Sequence, residues 1–236
     1  LHALTAEQIG GMNNFGGLSS AQFGLLDLSK MQTSVISNWS QTLRAGVTAQ
    51  QVSTLSNEQV NALQSLNGMS VYSAAGFSKD QIPHIRMSFY YFSSAWYNNL
   101  TTEAFQAITP EQMGQIFLDA FNGMDAERRS QLTAEQVGGI TYNFYFFSSV
   151  WFNSLNPQAM KGITADQFTH IQADNFKHWD NQHLAALTAA QVAVAPHLNA
   201  LTSDQFGYLD ISQLPVSAIS QLSKTEYQGL TAQQIA

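Results

Sequence analysis

Residues 132–137 read Leu-Thr-Ala-Glu-Gln-Val, and this six-residue block decides the fold. Its pattern is an apolar residue, Thr or Ser, any two residues, Gln, and a second apolar residue. The pattern recurs along the chain, and ten of its copies begin at Leu4, Val47, Leu55, Phe77, Ile108, Leu132, Ile163, Leu187, Leu201 and Leu230. Such frequent recurrence indicates an array built from one local element.

Each block has the sequence of a helix N-terminus. The Thr or Ser at the N-cap position accepts a hydrogen bond from the N3 amide, and the N3 Gln reaches back to the cap amide. The flanking apolar residues, such as Leu132 and Val137, suit a hydrophobic staple. An acidic residue at N2, such as Glu135, suits the positive end of the helix dipole. We therefore predict a helix start at every block.

The predicted helices are short, because successive caps lie close together. The cap at 109 follows the cap at 101 by eight residues, and the pairs 125 and 133, 156 and 164, and 180 and 188 repeat this spacing. A helix of about two turns is far below the ~12–15 residues needed for stability alone in water, so each one must pack on its neighbours. Strand patterning is absent, and we predict an all-α fold, an α-solenoid of short capped helices.

A longer repeat overlies the short one. Residues 88–100 read SFYYFSSAWYNNL and residues 143–155 read NFYFFSSVWFNSL, an offset of 55. We therefore predict one continuous solenoid with four sections. They are a degenerate N-terminal repeat with an irregular insertion at 64–76 (1–77), two 55-residue units (78–132 and 133–187), and a partial C-terminal repeat (188–236). Residues 18–37 also match residues 201–220 at an offset of 183, as in a window onto a longer array.

At these blocks the sequence resembles the Leu-Thr-x-x-Gln-Ile/Val tandem repeats of large bacterial secreted, surface or injected proteins. The resemblance covers nearly the whole chain and concerns a repeat style. It implies a helical array in an adhesin, effector or envelope-associated protein, located outside the bacterial cell or on its surface. The chain begins at Leu1 rather than Met, which fits either a processed product or a piece of something longer.

Composition limits the partners. Charged residues make up 11% of the 236 residues, against roughly 25% in ordinary domains, and Gln (25), Ser (24), Thr (16) and Asn (15) supply the polarity instead. The net charge of −7 and the lack of a basic run argue against nucleic acid as a partner. The most apolar stretch, 140–155, is interrupted by polar residues, so we expect no membrane insertion. We expect a protein partner, either a second copy or a foreign protein.

The aromatic segments supply the candidate binding residues. Four residues in each segment follow helical spacing and are predicted to form one buried helix face: Phe89, Phe92, Trp96 and Leu100, and Phe144, Phe147, Trp151 and Leu155. Tyr90 and Tyr97 lie seven residues apart on another face, as do Tyr145 and Phe152. Two alternatives remain for these last four: burial against the next repeat, or an exposed aromatic ladder that binds a protein or a glycan.

Catalytic and metal chemistry are not predicted. His170, His178 and His183 cluster in sequence, but their spacings of eight and five fit no zinc pattern, and the chain has no cysteine. The acidic residues fall mostly at N2 of capped helices, and Asp27 and Asp210 occupy matching positions where we expect helix caps. We therefore predict no enzyme activity, no catalytic residue, no metal site and no cofactor.

Two functional hypotheses follow. The first is a non-enzymatic structural and interaction module of a bacterial exported repeat protein, which acts by self-assembly or adhesion. The second is a secreted effector that holds a host protein on the concave face of the solenoid.

Overall fold

Reciprocal capping hydrogen bonds form at all ten predicted blocks of the computed structural model, which describes residues 4–235. At Thr133, for example, the backbone N–H donates to Gln136 Oε1 over 3.1 Å, and the Gln136 N–H donates to Thr133 Oγ1 over 3.2 Å. The same pair recurs at Thr5, Thr48, Ser56, Ser78, Thr109, Thr164, Thr188, Thr202 and Thr231. A helix begins directly after the cap at nine of these blocks, whereas Ser78 is followed by a turn and the next 3₁₀ helix begins only at Ile82.

The chain folds as two compact units, Leu1–Met124 and Asp125–Ala236. In the first unit the α-helices are α1 (Ala6–Gly10), α2 (Ser20–Phe23), α3 (Thr33–Ile36), α4 (Gln41–Ala45), α5 (Ala49–Thr54), α6 (Asn57–Asn61), α7 (Ser94–Asn98), α8 (Thr102–Gln106), α9 (Pro110–Met113) and α10 (Leu118–Gly123). Three 3₁₀ helices, Val71–Gly76, Ile82–His84 and Phe89–Tyr91, complete it. The first of these occupies part of the predicted irregular insertion, after a turn at Gly68 with φ of +91°.

The second unit has the same character. Its α-helices are α11 (Ala126–Ser130), α12 (Ala134–Gly138), α13 (Ser149–Asn153), α14 (Ala165–Thr169), α15 (Ala173–Phe176), α16 (Asn181–Ala186), α17 (Ala189–Ala193), α18 (Ser203–Phe206), α19 (Val216–Ile219), α20 (Lys224–Gly229) and α21 (Ala232–Ile235). The 3₁₀ helices are Phe144–Phe146, Pro157–Gly162 and Leu198–Ala200. Residues 4–235 contain no strand, so the predicted all-α class is confirmed. None of the described helices is long and apolar enough to cross a membrane.

The N3 glutamines also join helices that are distant in sequence. While Oε1 accepts from the cap, Nε2 donates to two backbone carbonyls 25–31 residues earlier, over 2.7–3.3 Å, and in Gln59 also to that of Ser29 over 3.4 Å. We call these bonds the amide ladder. Its eight donors and their acceptors are Gln51 (Phe23, Leu26), Gln59 (Leu28, Met31), Gln81 (Val52, Leu55), Gln112 (Ile82, Ile85), Gln167 (Gly138, Ile140), Gln191 (Met160, Ile163), Gln205 (Lys177, Trp179) and Gln234 (Phe206, Leu209).

Some neighbouring helices approach each other through their backbones. A Cβ added to Gly76 would lie 2.0 Å from the carbonyl oxygen of Ala49, and one added to Gly162 would lie 1.8 Å from that of Ala134. Each glycine is the sixth residue after its N-cap, and each carbonyl belongs to the first residue after an N-cap. The 3₁₀ helix Val71–Gly76 can therefore lie against α5, and Pro157–Gly162 against α12, only without side chains at these contacts.

The core residues predicted from the aromatic segments are buried, but the predicted single helix is wrong. Residues 89–91 form a 3₁₀ helix, Phe92 is extended (φ −87°, ψ 135°), and α7 begins only at Ser94. Residues 144–153 divide in the same way, because Ser148 caps α13 by accepting from the Trp151 amide. All eight predicted core residues are nevertheless buried, since the break turns both halves inward.

The amide ladder predicts that replacing one of its buried glutamines strongly lowers the free energy of unfolding. Gln191→Leu removes the cap acceptor for Thr188 and the donor for the carbonyls of Met160 and Ile163. We expect a loss of about 2–4 kcal/mol in the free energy of unfolding, because buried polar groups are left without partners. Urea denaturation followed by circular dichroism measures it. The control is Gln182→Leu, at an exposed position of α16, and equal midpoints for the two variants would contradict the prediction.

The close approach of the Gly76 backbone to that of Ala49 predicts that a side chain at Gly76 destabilises the fold. Gly76→Ala forces a methyl group against the Ala49 carbonyl, and we expect destabilisation by about 1–3 kcal/mol through overpacking. Gly17→Ala is the matched control, because a Cβ at Gly17 meets no atom within 4 Å. Thermal unfolding of both variants is the measurement, and a melting temperature for Gly76→Ala at or above that of Gly17→Ala would refute the prediction.

Candidate binding surface

The four candidate binding residues divide into two buried and two exposed. Tyr97 and Phe152 are fully buried, whereas Tyr90 and Tyr145 are 48% and 54% exposed. Neither alternative, burial of all four side chains or one exposed ladder of all four, describes this arrangement. The reason is the break after each 3₁₀ helix, which places Tyr90 and Tyr97 on different helices.

Tyr97 and Phe152 serve the core. Tyr97 packs against Phe92 and Trp96, and its hydroxyl donates to the Phe89 carbonyl over 2.8 Å. Burial raises the pKa of Tyr97 well above its ordinary value, which keeps the hydroxyl protonated as a donor. Phe152 packs against Trp151 and Trp179 in the second unit. Neither side chain is available to a ligand.

The exposed aromatic residues come in adjacent pairs on the two 3₁₀ helices. Tyr91 and Phe146 are also exposed, and we call Tyr90 with Tyr91, and Tyr145 with Phe146, the two aromatic turns. The rings meet edge to face, with centroids 5.3 Å apart in the first turn and 5.6 Å in the second. The helical spacing of these segments did not single out Tyr91 and Phe146, because it predicted one continuous helix without a turn.

Each aromatic turn borders a shallow depression. In the first unit, the ring centroids of Tyr90 and Phe117 are 5.0 Å apart. Both residues line a depression of about 200 Å³, together with Ser93 and Asp119. In the second unit, Tyr145 borders a depression of about 480 Å³ with His170 and His197. These surfaces combine exposed rings with polar rims, as protein-binding surfaces do.

The three clustered histidines make hydrogen bonds within the fold. His183 is buried at N3 of α16, with Nε2 3.0 Å from the Leu155 carbonyl and Nδ1 2.7 Å from the N-cap Asp180. It thus occupies the place of a ladder glutamine. His170 and His178 lie apart from it, each with Nδ1 near the backbone carbonyl four residues earlier. Within residues 4–235, no three His, Asp or Glu side chains converge as metal ligands.

Asp27 and Asp210 form turns rather than the predicted helix caps. Each carboxylate accepts the N–H two residues on, from Ser29 and Ser212 respectively. Hydrogen bonds from the hydroxyl and backbone of Ser29 lower the pKa of Asp27, and those from Ser212 lower the pKa of Asp210. Both groups are thus held as carboxylates for a structural turn, which makes them poor proton donors at neutral pH.

Substitutions should separate the two kinds of aromatic residue. Phe152→Ala is expected to lower the free energy of unfolding by about 3–5 kcal/mol, because it opens a cavity beside Trp151 and Trp179. Tyr145→Ala should change it by less than about 0.5 kcal/mol, as at most exposed sites. Chemical denaturation of both variants is the measurement. A large loss for Tyr145→Ala would mean that the second aromatic turn is structural rather than free to bind.

Comparison with known proteins gives no match. No protein-family model matches the chain. No curated protein and no solved structure matches it either. The features that bear on function are therefore those of the chain itself: the amide ladder and the two aromatic turns.

Proposed function

We propose that the chain is a segment of an α-solenoid with a 55-residue repeat, and that it serves as a non-enzymatic structural and interaction module that acts by self-assembly. The observation that carries this proposal is the amide ladder. Each link uses the same donor and the same pair of backbone acceptors, so the contact between helices is generic. A helix with this pattern in a second copy can be added by the same contact as a helix of the same chain.

The order of elements supports the 55-residue repeat. The 3₁₀ helices at Phe89–Tyr91 and Phe144–Phe146 lie 55 residues apart, as do α7 and α13, α9 and α14, and α12 and α17. Contacts between helices 21–24 residues apart in sequence recur within each unit, for example between α7 and α10 and between α18 and α20. Such regular contacts at fixed separation are typical of solenoids.

The hydrogen bonding of the polar side chains favours a non-enzymatic module. The buried polar side chains of the ladder and the carboxylates of the Asp turns have their hydrogen bonds directed to the backbone. An active site needs titratable groups that converge in a cleft. The low charge fits a surface that works by shape and neutral hydrogen bonds, which salt does not screen.

Placement in a bacterial exported protein rests on the repeat style of the Leu-Thr-x-x-Gln blocks. A secreted or surface location suits an array whose contacts are neutral, because these contacts hold over a wide range of salt concentration. Adhesion to a foreign protein, as in an effector that holds a host protein, is the second candidate. The exposed aromatic turns favour it, since aromatic residues are enriched where proteins bind one another.

Light scattering of the 236-residue chain tests self-assembly. Over a concentration series from micromolar to millimolar, we expect the mean mass to rise beyond that of one chain, and to do so equally at low and high salt. Electron microscopy of the same samples should show end-to-end particles. A mass of one chain at every concentration would contradict self-assembly and would leave the aromatic turns as the contact surface for a foreign protein.

A further inference from the structure

The tripeptide Asn-Gly-Met occurs twice in the chain, 55 residues apart. Residues 65–70 read Ser-Leu-Asn-Gly-Met-Ser, and residues 120–125 read Ala-Phe-Asn-Gly-Met-Asp. Asn67 and Asn122 are both exposed, and so are the glycines that follow them. The two asparagines therefore share the next two residues in sequence and access to water, and what distinguishes them is the structure of the backbone.

Asn67 and Gly68 occupy the two central positions of a tight turn. The Met69 N–H donates to the Leu66 carbonyl over 2.9 Å, Asn67 has a negative φ, and Gly68 has a φ of +91°. These are the features of a type II turn, which needs a glycine at its third residue. The turn itself uses only the N–H of its last residue. The Gly68 N–H donates to no atom of residues 4–235.

Asn122 and Gly123 are instead the last two residues of the helix α10. In an α-helix each N–H donates to the carbonyl four residues earlier, so the Gly123 N–H is paired with the Asp119 carbonyl. Gly123 also lies close to α7, because a Cβ added to it would be 2.6 Å from the Ser94 Oγ. The second glycine nitrogen is therefore held in a hydrogen bond and in a fixed backbone.

A free backbone nitrogen after an asparagine can close a ring on the side chain. The Gly68 nitrogen loses its proton to solvent and attacks the Asn67 Cγ, and the bond from Cγ to Nδ2 breaks as ammonia leaves. Glycine favours this step because it has no Cβ to obstruct the approach. Water then opens the succinimide. Attack at the side-chain carbon gives Asp, whereas attack at the backbone carbon gives isoaspartate, whose main chain runs through Cγ and whose former backbone carbonyl is a carboxylate. In total one water is consumed and one ammonia is released, without oxidation or reduction.

Arg44 of α4 contacts the backbone carbonyl at which the ring opens to isoaspartate. Its Nε donates to the Asn67 carbonyl oxygen over 2.9 Å, and its Nη1 donates to the Trp39 carbonyl over 2.8 Å. A guanidinium donor at this oxygen stabilises the negative charge that forms there when water attacks. In isoaspartate the same oxygen belongs to a carboxylate, and a hydrogen bond between two ions is stronger than one to a neutral carbonyl.

We infer that Asn67 is a site of spontaneous deamidation in the folded chain, that isoaspartate is its main product, and that Arg44 binds the new carboxylate. The turn supplies the free Gly68 nitrogen, and α10 protects Asn122 from the same reaction. The change adds one negative charge to a chain of net charge −7 and one methylene group to the backbone of the turn. The inference is independent of the proposed self-assembly.

The first test compares the two asparagines in one sample. The wild-type chain is incubated at neutral pH and micromolar concentration, and peptide mapping by mass spectrometry follows the replacement of NH₂ by OH at each site. We expect Asn67 to react at least about tenfold faster than Asn122, because reaction at Asn122 requires local opening of α10. In urea that unfolds the chain the two rates should converge. The control Asn67→Gln should remove the fast mass increase, because a glutamine must close a larger ring.

The second test identifies the product and the effect of Arg44. Synthetic peptides with Asp or isoaspartate at position 67 serve as chromatographic standards. The ratio of isoaspartate to Asp should be at least about threefold higher in the folded wild-type chain than in urea. Arg44→Gln should lower this ratio to the value in urea, whereas the control Arg86→Gln, at an exposed position, should keep it. Circular dichroism verifies that both variants are folded.

The outcomes separate the site from its product. A rate at Asn67 no higher than that at Asn122 in the folded chain overturns the inference. A fast reaction with the same product ratio in the folded and unfolded wild-type chain overturns the role of Arg44, and this comparison needs no variant. The isoaspartate form, separated by ion exchange, should unfold at the melting temperature of the wild type or above it, and a lower value would contradict binding of the carboxylate by Arg44.

Discussion

The fold depends on the carboxamide of the N3 glutamine, a side-chain group that both starts a helix and ties it to another. Its oxygen accepts from the N-cap amide, and its nitrogen donates to two carbonyls at the end of an earlier helix. A helix of four to six residues has little stability of its own, so both functions are needed at the same position. A carboxylate lacks the donor and an ammonium lacks the acceptor, which explains why a neutral amide is repeated so often in a chain with few charges.

The ladder also explains the small residues at helix ends. A glutamine side chain reaches only a short distance, so the helices that it joins, and those between them, must lie close together. Gly76 and Gly162 meet backbone carbonyls directly. Elsewhere the gaps are filled by aromatic side chains such as Trp96 and Trp151, each with its ring centroid 4.3 Å from that of a phenylalanine. Hydrogen bonding between helices and dense packing around them are therefore two results of the same constraint.

Local signals in the sequence predicted the helix starts, because a capping box involves residues only three apart. The acceptors of the glutamine nitrogens lie 25–31 residues away, and no local pattern reveals them. The aromatic segments failed as single helices for a related reason. Ser148 offers a local cap that interrupts the helical spacing of Phe147 and Trp151, so the prediction found the correct core residues on the wrong element. For that reason Tyr97 and Phe152 lie in the core, whereas Tyr90 and Tyr145 on the 3₁₀ helices are exposed.

The residues that replace glutamine at N3 show which hydrogen bonds the amide ladder requires. His183 replaces glutamine with a ring that reaches both the cap and the Leu155 carbonyl, and Asn175 donates to the Phe147 carbonyl over 2.8 Å. Glu226 keeps the cap but has no hydrogen to donate. In every link of the described chain the donor belongs to the later helix and the acceptor to the earlier one. Under the proposed self-assembly, a ladder bond between copies therefore joins a glutamine amide of one copy to backbone carbonyls of another, which are two different surfaces.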